Sequence, residues 1–139
     1  YAIFSEKEKY SKLFLNTFSS KNFGEVTFFI KGMMEFIKKG QKSIKEMLEN
    51  KIEKLNFSRD YLGNLELNDP EKKIMCIYIQ NNIFSEFPLK DKELSKILEI
   101  SRTKLKIHIE TLIKKGYLVE ISRNPMIHVI DNGLKEVLD

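Results

Sequence analysis

The sequence predicts a mainly α fold: a helical segment with one long helix, then three helices closed by a two-stranded hairpin. Three observations carry this. The chain has 139 residues with only 6 Gly and 3 Pro, so turns are few and helices long. Apolar residues recur at three- and four-residue spacing over most of residues 6–115. Past Gly116 the period changes to two short β-branched runs separated by Arg123-Asn124-Pro125.

The elements follow in order. From Glu6 to Thr17 the residues Tyr10, Leu13, Phe14 and Thr17 share one face of a short helix. The turn formers Ser19, Ser20, Asn22 and Gly24 then interrupt it. Glu25 to Asn56 reads as a long helix whose stripe is Phe29, Met33, Phe36, Ile37, Ile44, Leu48 and Leu55. Ile30 and Ile52 fall off that stripe, while Lys38, Lys42, Lys45, Glu49 and Glu53 occupy the other face. Residues 57–68 lose the period and include Gly63, Asn64 and Asn68, the composition of a linker. The expected organisation is therefore a helical segment over 1–56, a linker over 57–68 and a second domain over 69–139.

Asp69-Pro70-Glu71 has the signature of a helix start, with Asp69 as the cap. The helix to Asn82 turns Ile74, Ile77 and Tyr78 inward, and a second one, Asp91 to Leu98, turns Leu94 and Ile97 inward. Glu99-Ile100 makes a tight turn, with Ile100 as its apolar plug. Ser101 caps a third helix, Arg102 to Lys115, with Leu105, Ile109 and Leu112 on its buried side and Gly116 as its terminator. Tyr117–Ile121 and Met126–Ile130 are the strands, and Leu134–Leu138 is a last helical turn. Three helices followed by such a hairpin make a winged helix-turn-helix domain.

Lys92 to Leu105, and then Lys114-Lys115-Gly116-Tyr117-Leu118, resemble the helix-turn-helix of bacterial winged-helix regulators. Glu99 departs from that pattern, because such turns usually carry Gly there. The resemblance implies that the third helix enters the major groove of double-stranded DNA and that the hairpin reaches an adjacent groove.

Charge agrees with a nucleic-acid partner without requiring one. The net charge is +4, and residues 101–123 alone carry six Lys and Arg against two Glu. With Leu105 at the centre of the buried side, Thr103, Lys106, Ile107, Glu110 and Lys114 face outward at about 100° per residue. Arg102, Thr103, Lys106 and Arg123 are the candidate DNA contacts. Glu110 opposes phosphate, and the exposed apolar Ile107 suits a second reading in which this face anchors a protein partner or a second copy.

Residues 1–56 carry another resemblance. Tyr1-Ala-Ile-Phe-Ser5, Lys9-Tyr10 and Phe23-Gly-Glu-Val-Thr-Phe-Phe-Ile30 look like the C-terminal end of the Fic domain, which in many proteins continues into a winged helix. That resemblance implies a missing N-terminal catalytic domain transferring AMP from ATP to a protein hydroxyl. The family's His-Pro-Phe loop has no counterpart here, since neither His108 nor His128 precedes Pro-Phe. The family's inhibitory helix has a Ser or Thr where Lys45 stands ahead of Glu49-Asn50. The sequence therefore predicts a non-catalytic regulatory tail. A free-standing transcription factor dimerised by its long helix fits the same features.

Other chemistry has no footing. There is no Gly-rich phosphate loop, no zinc spacing and no nucleophile elbow, so no cofactor or metal is expected. His108, beside the buried stripe, His128, within a strand, and the single Cys76 are expected to be structural, with Cys76 buried. No apolar run approaches the ~20 residues a bilayer helix needs, so no membrane partner is expected. With no signal peptide, the expected location is the cytoplasm. The long helix, once without its partner, predicts a homodimer.

Overall fold

The computed structural model describes residues 2–138, so Tyr1, which opens the Fic-like stretch, and Asp139, which ends the second domain, lie outside it. Its elements are α1 (Ala2–Ser5), α2 (Lys7–Thr17), a 3-10 turn (Ser20–Asn22), α3 (Thr27–Asn64), α4 (Asp69–Phe84), α5 (Asp91–Ile97), α6 (Arg102–Lys114), β1 (Leu118–Arg123), β2 (Met126–Ile130) and α7 (Asn132–Leu138). This is the predicted mainly helical fold with one antiparallel hairpin. Two compact units divide between Glu49 and Asn50. The stretch expected as a linker is instead helical from Phe57 to Asn64. Ser58 and Leu62 are buried there, so tertiary packing overrides the poor helix propensity of Gly63 and Asn64.

In the first unit α2 lies along one side of α3. Leu13 sits directly on Gly32, where any Cβ would collide with it. Phe14 meets Phe29 at 6.3 Å between ring centroids, and Tyr10 meets Phe36 edge-on at 6.5 Å. Lys39 Nζ donates to Glu6 Oε1 at 2.6 Å, closing the same side. Phe36 is the one large apolar side chain fully buried among the described residues of this unit. The predicted stripe therefore splits. Phe29 and Phe36 face α2, whereas Ile37, Ile44 and Leu48 stand exposed, because they lie off the side of the helix that α2 covers. Lys42–Glu46 (3.8 Å) and Lys45–Glu49 (3.6 Å) decorate the helix at i,i+4 spacing, as expected of a solvated face.

The second unit has a continuous core: Leu62, Ile74, Met75, Tyr78, Ile79, Leu94, Leu105, Ile109, Leu112, Leu118, Ile130 and Leu134. Asn68, not Asp69, caps α4. Its side chain accepts from Glu71 N at 2.9 Å, and Glu71 Oε2 accepts from Asn68 N at 3.3 Å. This reciprocal box satisfies two of the otherwise unpartnered amides and moves Asp69 into the first turn. Cys76 and Ile77 are half-buried, packed against the core edge, and Gln80 Nε2 approaches Cys76 Sγ at 3.7 Å. Ile97, expected inward, is 57 % exposed. Because α5 spans only two turns, Leu98 in its cap shares the face of Leu94 and takes the core position instead.

Two helix ends use one backbone device. After α6, Gly116 has φ +78°, Gly116 N donates to Ile113 O and Tyr117 N to Leu112 O, both at 2.9 Å. After α5, Glu99 has φ +54°, Glu99 N donates to Lys96 O at 3.2 Å and Ile100 N to Ser95 O at 3.1 Å. Both are Schellman terminations, which require a left-handed residue. Glu99 holds that conformation at a cost glycine does not bear. Glu99→Gly is therefore expected to stabilise the unit by about 0.5–1 kcal/mol in urea unfolding. A destabilised variant would mean that the Glu99 side chain contributes more than its strain costs.

The hairpin pairs Leu118 with Ile130 and Arg123 with Met126, with a bulge at Ile121. Tyr117, predicted to begin β1, instead completes the α6 terminator. Its carbonyl accepts from Asp131 N at 3.0 Å, tying the start of α7 to the base of the wing.

Candidate nucleic-acid interface

The third helix is set by its ends and its buried stripe. Ser101 Oγ accepts from Lys104 N at 3.3 Å, and Leu105, Ile109 and Leu112 are buried as predicted. That fixes the rotation of α6. Arg102, Thr103, Lys106, Ile107 and Glu110 are consequently all exposed, and Ile107 reaches 59 %.

The wing is positioned by a polar latch against the start of α5. A single bridge joins Lys90 to Ile127, placing β2 beside the start of α5. One residue further along each segment, the His128 Nδ1–H group meets Asp91 Oδ1 at 2.9 Å, with His128 only 3 % exposed. Tyr78 OH donates to the same oxygen at 3.4 Å. Burial, and then the adjoining Asp91 carboxylate, push the Tyr78 phenol far above its ordinary range, so it stays a donor. His128 is thus enclosed and hydrogen-bonded, and among the described residues no buried side-chain polar atom lacks a partner.

Between α6 and the wing lies an open groove of about 370 Å³, lined by Lys90, Asp91, Lys92, Arg102, Leu105, Lys106, Pro125 and Met126. It brings together two of the four predicted DNA contacts, Arg102 and Lys106, and leaves Thr103 and Arg123 outside. It also adds two cations that sequence reasoning missed, Lys90 and Lys92. Their signal was present, since they flank the first acid of α5. Only the strand bridge at Lys90, however, places them beside the wing. Four cations surround one carboxylate, and that carboxylate is occupied by His128 and Tyr78.

The remaining basic residues are partly neutralised in place. Lys106 pairs with Glu110 at 3.8 Å, both well exposed. Arg123 Nε pairs with Glu120 Oε1 at 2.7 Å, a contact that raises the guanidinium pKa further. Lys115 is engaged with buried Glu71 at 3.0 Å and with the Glu66 carbonyl at 3.0 Å. Arg102 and Lys92 enter none of the ion pairs among the described residues. Of the six cations in residues 101–123, Lys106, Lys115 and Arg123 are paired, whereas Arg102, Lys104 and Lys114 enter none of the ion pairs among the described residues.

Among the described residues, no group of three or more His, Cys, Asp or Glu is arranged to hold a metal ion. No helix there is long and apolar enough to cross a membrane. No protein-family model, curated protein or solved structure matches this chain.

Proposed function

We propose that the second unit binds double-stranded DNA, with the start of α6 in the major groove and the wing tip against the adjacent backbone, as the regulatory tail of a Fic-type protein. The observation that carries the DNA reading is the groove where α6 meets the wing, with Lys90, Lys92, Arg102 and Lys106 around it. Such cations neutralise phosphates and set register, while Arg102 and Thr103 at the helix start are placed to reach base edges. The resemblance of residues 1–56 to the end of the Fic domain supplies the setting of this reading.

The test is fluorescence anisotropy with a random duplex of about 30 base pairs. Four phosphate contacts predict roughly a hundredfold loss of affinity between 50 and 200 mM salt. Arg102→Ala and Lys92→Ala are each expected to reduce the salt slope by about one contact. Glu110→Gln is expected to tighten binding, because it releases Lys106 and removes a like charge facing phosphate. No binding with tens of micromolar protein at about 50 mM salt overturns the DNA reading, since non-specific binders reach ~10⁻⁴–10⁻⁶ M at higher salt.

The exposure of Ile107 on this face favours a second reading, an interaction module. In that case Ile107→Asp abolishes association with a protein partner, and duplex binding is absent throughout.

A further inference from the structure

The His128 imidazole has one nitrogen that the latch does not use. Its side chain is 4 % exposed, and Nδ1 is committed to Asp91. In the neutral ring that contact fixes the tautomer, so Nδ1 carries the proton and Nε2 presents a lone pair. Nε2 enters none of the hydrogen bonds among the described residues, yet no buried side-chain nitrogen or oxygen there lacks a partner. Nε2 therefore reaches open space. The space that His128 lines is a cavity of about 270 Å³ between the end of α4, the loop to α5 and the wing. Asp91 lines the basic groove and not this cavity, so the imidazole runs from one to the other.

The walls of this cavity are preformed. Pro88, Leu89, Ile121 and Val129 make them mostly apolar. The loop wall is held because Asn81 Nδ2 and Ser85 Oγ both donate to Phe87 O at 3.0 Å. The wing wall includes Ile121, the bulge residue, and a bulge re-aims a side chain that regular pairing would direct elsewhere. Apolar walls with a few fixed polar groups are the usual form of a small-molecule site. Glu86 is the one carboxylate in the lining and no lysine or arginine joins it, which disfavours an anion. We propose that this cavity binds a compact, mostly apolar ring molecule bearing an O–H or N–H donor and no negative charge, with the donor seated on His128 Nε2. The ring matches the walls, and the donor gives Nε2 the partner it lacks within the chain. The inference does not rest on the DNA reading.

The probe is phenol, compared with anisole (a similar ring without the donor) and benzoate (a similar ring with a negative charge). Titration of the full chain, followed by NMR, is expected to show saturable phenol binding with a Kd of about 1 mM or tighter. The Nε2 resonance of His128 is expected to move with occupancy, while Nδ1 stays close to its free position. Anisole and benzoate are each expected to bind at least about tenfold more weakly. His128→Asn keeps an N–H toward Asp91 and removes the Nε2 acceptor, so the preference for phenol over anisole is expected to vanish. If that variant does not fold, the Nε2 resonance of the parent chain decides alone. No saturable phenol binding up to about 10 mM overturns the inference. Anisole or benzoate binding as tightly as phenol overturns it too, as does phenol binding that leaves the Nε2 resonance in place. A folded His128→Asn that retains the preference for phenol also overturns it.

Discussion

Leu105→Ala is expected to destabilise the winged unit by about 3–4 kcal/mol, the range for truncating a fully enclosed leucine. Leu105 is 1 % exposed and is the first residue of the α6 buried stripe, between the core and the floor of the basic groove. Its removal loses the transfer energy of three carbons and leaves a void that α6 cannot close. The helix is pinned at one end by the Ser101 cap and at the other by the Gly116 terminator. Domains of this size hold roughly 5–15 kcal/mol in total, so the loss is a large fraction of the whole. At about 4–8 °C per kcal/mol, the melting temperature is expected to fall by roughly 15–30 °C. Ile107→Ala, two residues on but 59 % exposed, is expected to change stability by less than about 0.5 kcal/mol. Urea unfolding of the pair decides whether α6 is rotated as described. Equal costs at Leu105 and Ile107 would mean that it is not.

Lys115→Met is expected to cost about 2 kcal/mol at neutral pH, and to cost less as the solution is acidified. Glu71 is buried at the start of α4, and burial alone would push its carboxyl upward. The Lys115 ammonium at 3.0 Å, with the Asn68 N–H, outweighs this and holds the group below its ordinary value of 4.5. A carboxyl lowered in the folded state contributes stability above its unfolded pKa, and that contribution is lost as pH falls through the folded pKa. Removing Lys115 leaves a buried anion balanced by the Asn68 N–H, the helix start and, more weakly, His108. The folded pKa of Glu71 then rises, and acid destabilisation begins at higher pH than in the parent. The full penalty for orphaning a buried charge, about 3–5 kcal/mol, is reduced here because the Lys115 side chain is 37 % exposed. Urea midpoints from about pH 7 to about pH 4 test this, with the two proteins expected to converge at the acid end. Adding Glu71→Gln to Lys115→Met is expected to restore most of the loss at neutral pH. Parallel pH curves for parent and Lys115→Met would show that the ion pair contributes nothing.

Local sequence determined the elements of the second unit from α4 onward. Buried positions repeat at helical spacing in α4 and α6, Ser101 and Gly116 bracket α6, and the change to β-branched runs marks the wing. These signals are visible because each is made by residues within a few positions of one another, and hydrogen bonding or burial acts on them locally. What the chain order could not show is which partner each charge and each apolar residue finds. Lys115 counts as one more cation in a basic segment until α4 brings Glu71 to it across 44 positions. Lys90 and Lys92 count as helix-flanking charges until Ile127 bridges to Lys90 and turns them toward the wing. His128 is one polar residue in a strand until Asp91 and Tyr78 enclose it. In the first unit, a single apolar stripe covers two separate faces, and only the placement of α2 on Phe29, Gly32 and Phe36 separates them. Periodicity reports that a side chain will be buried, because burial depends on the face it occupies. Its partner depends on long-range packing, which periodicity does not encode.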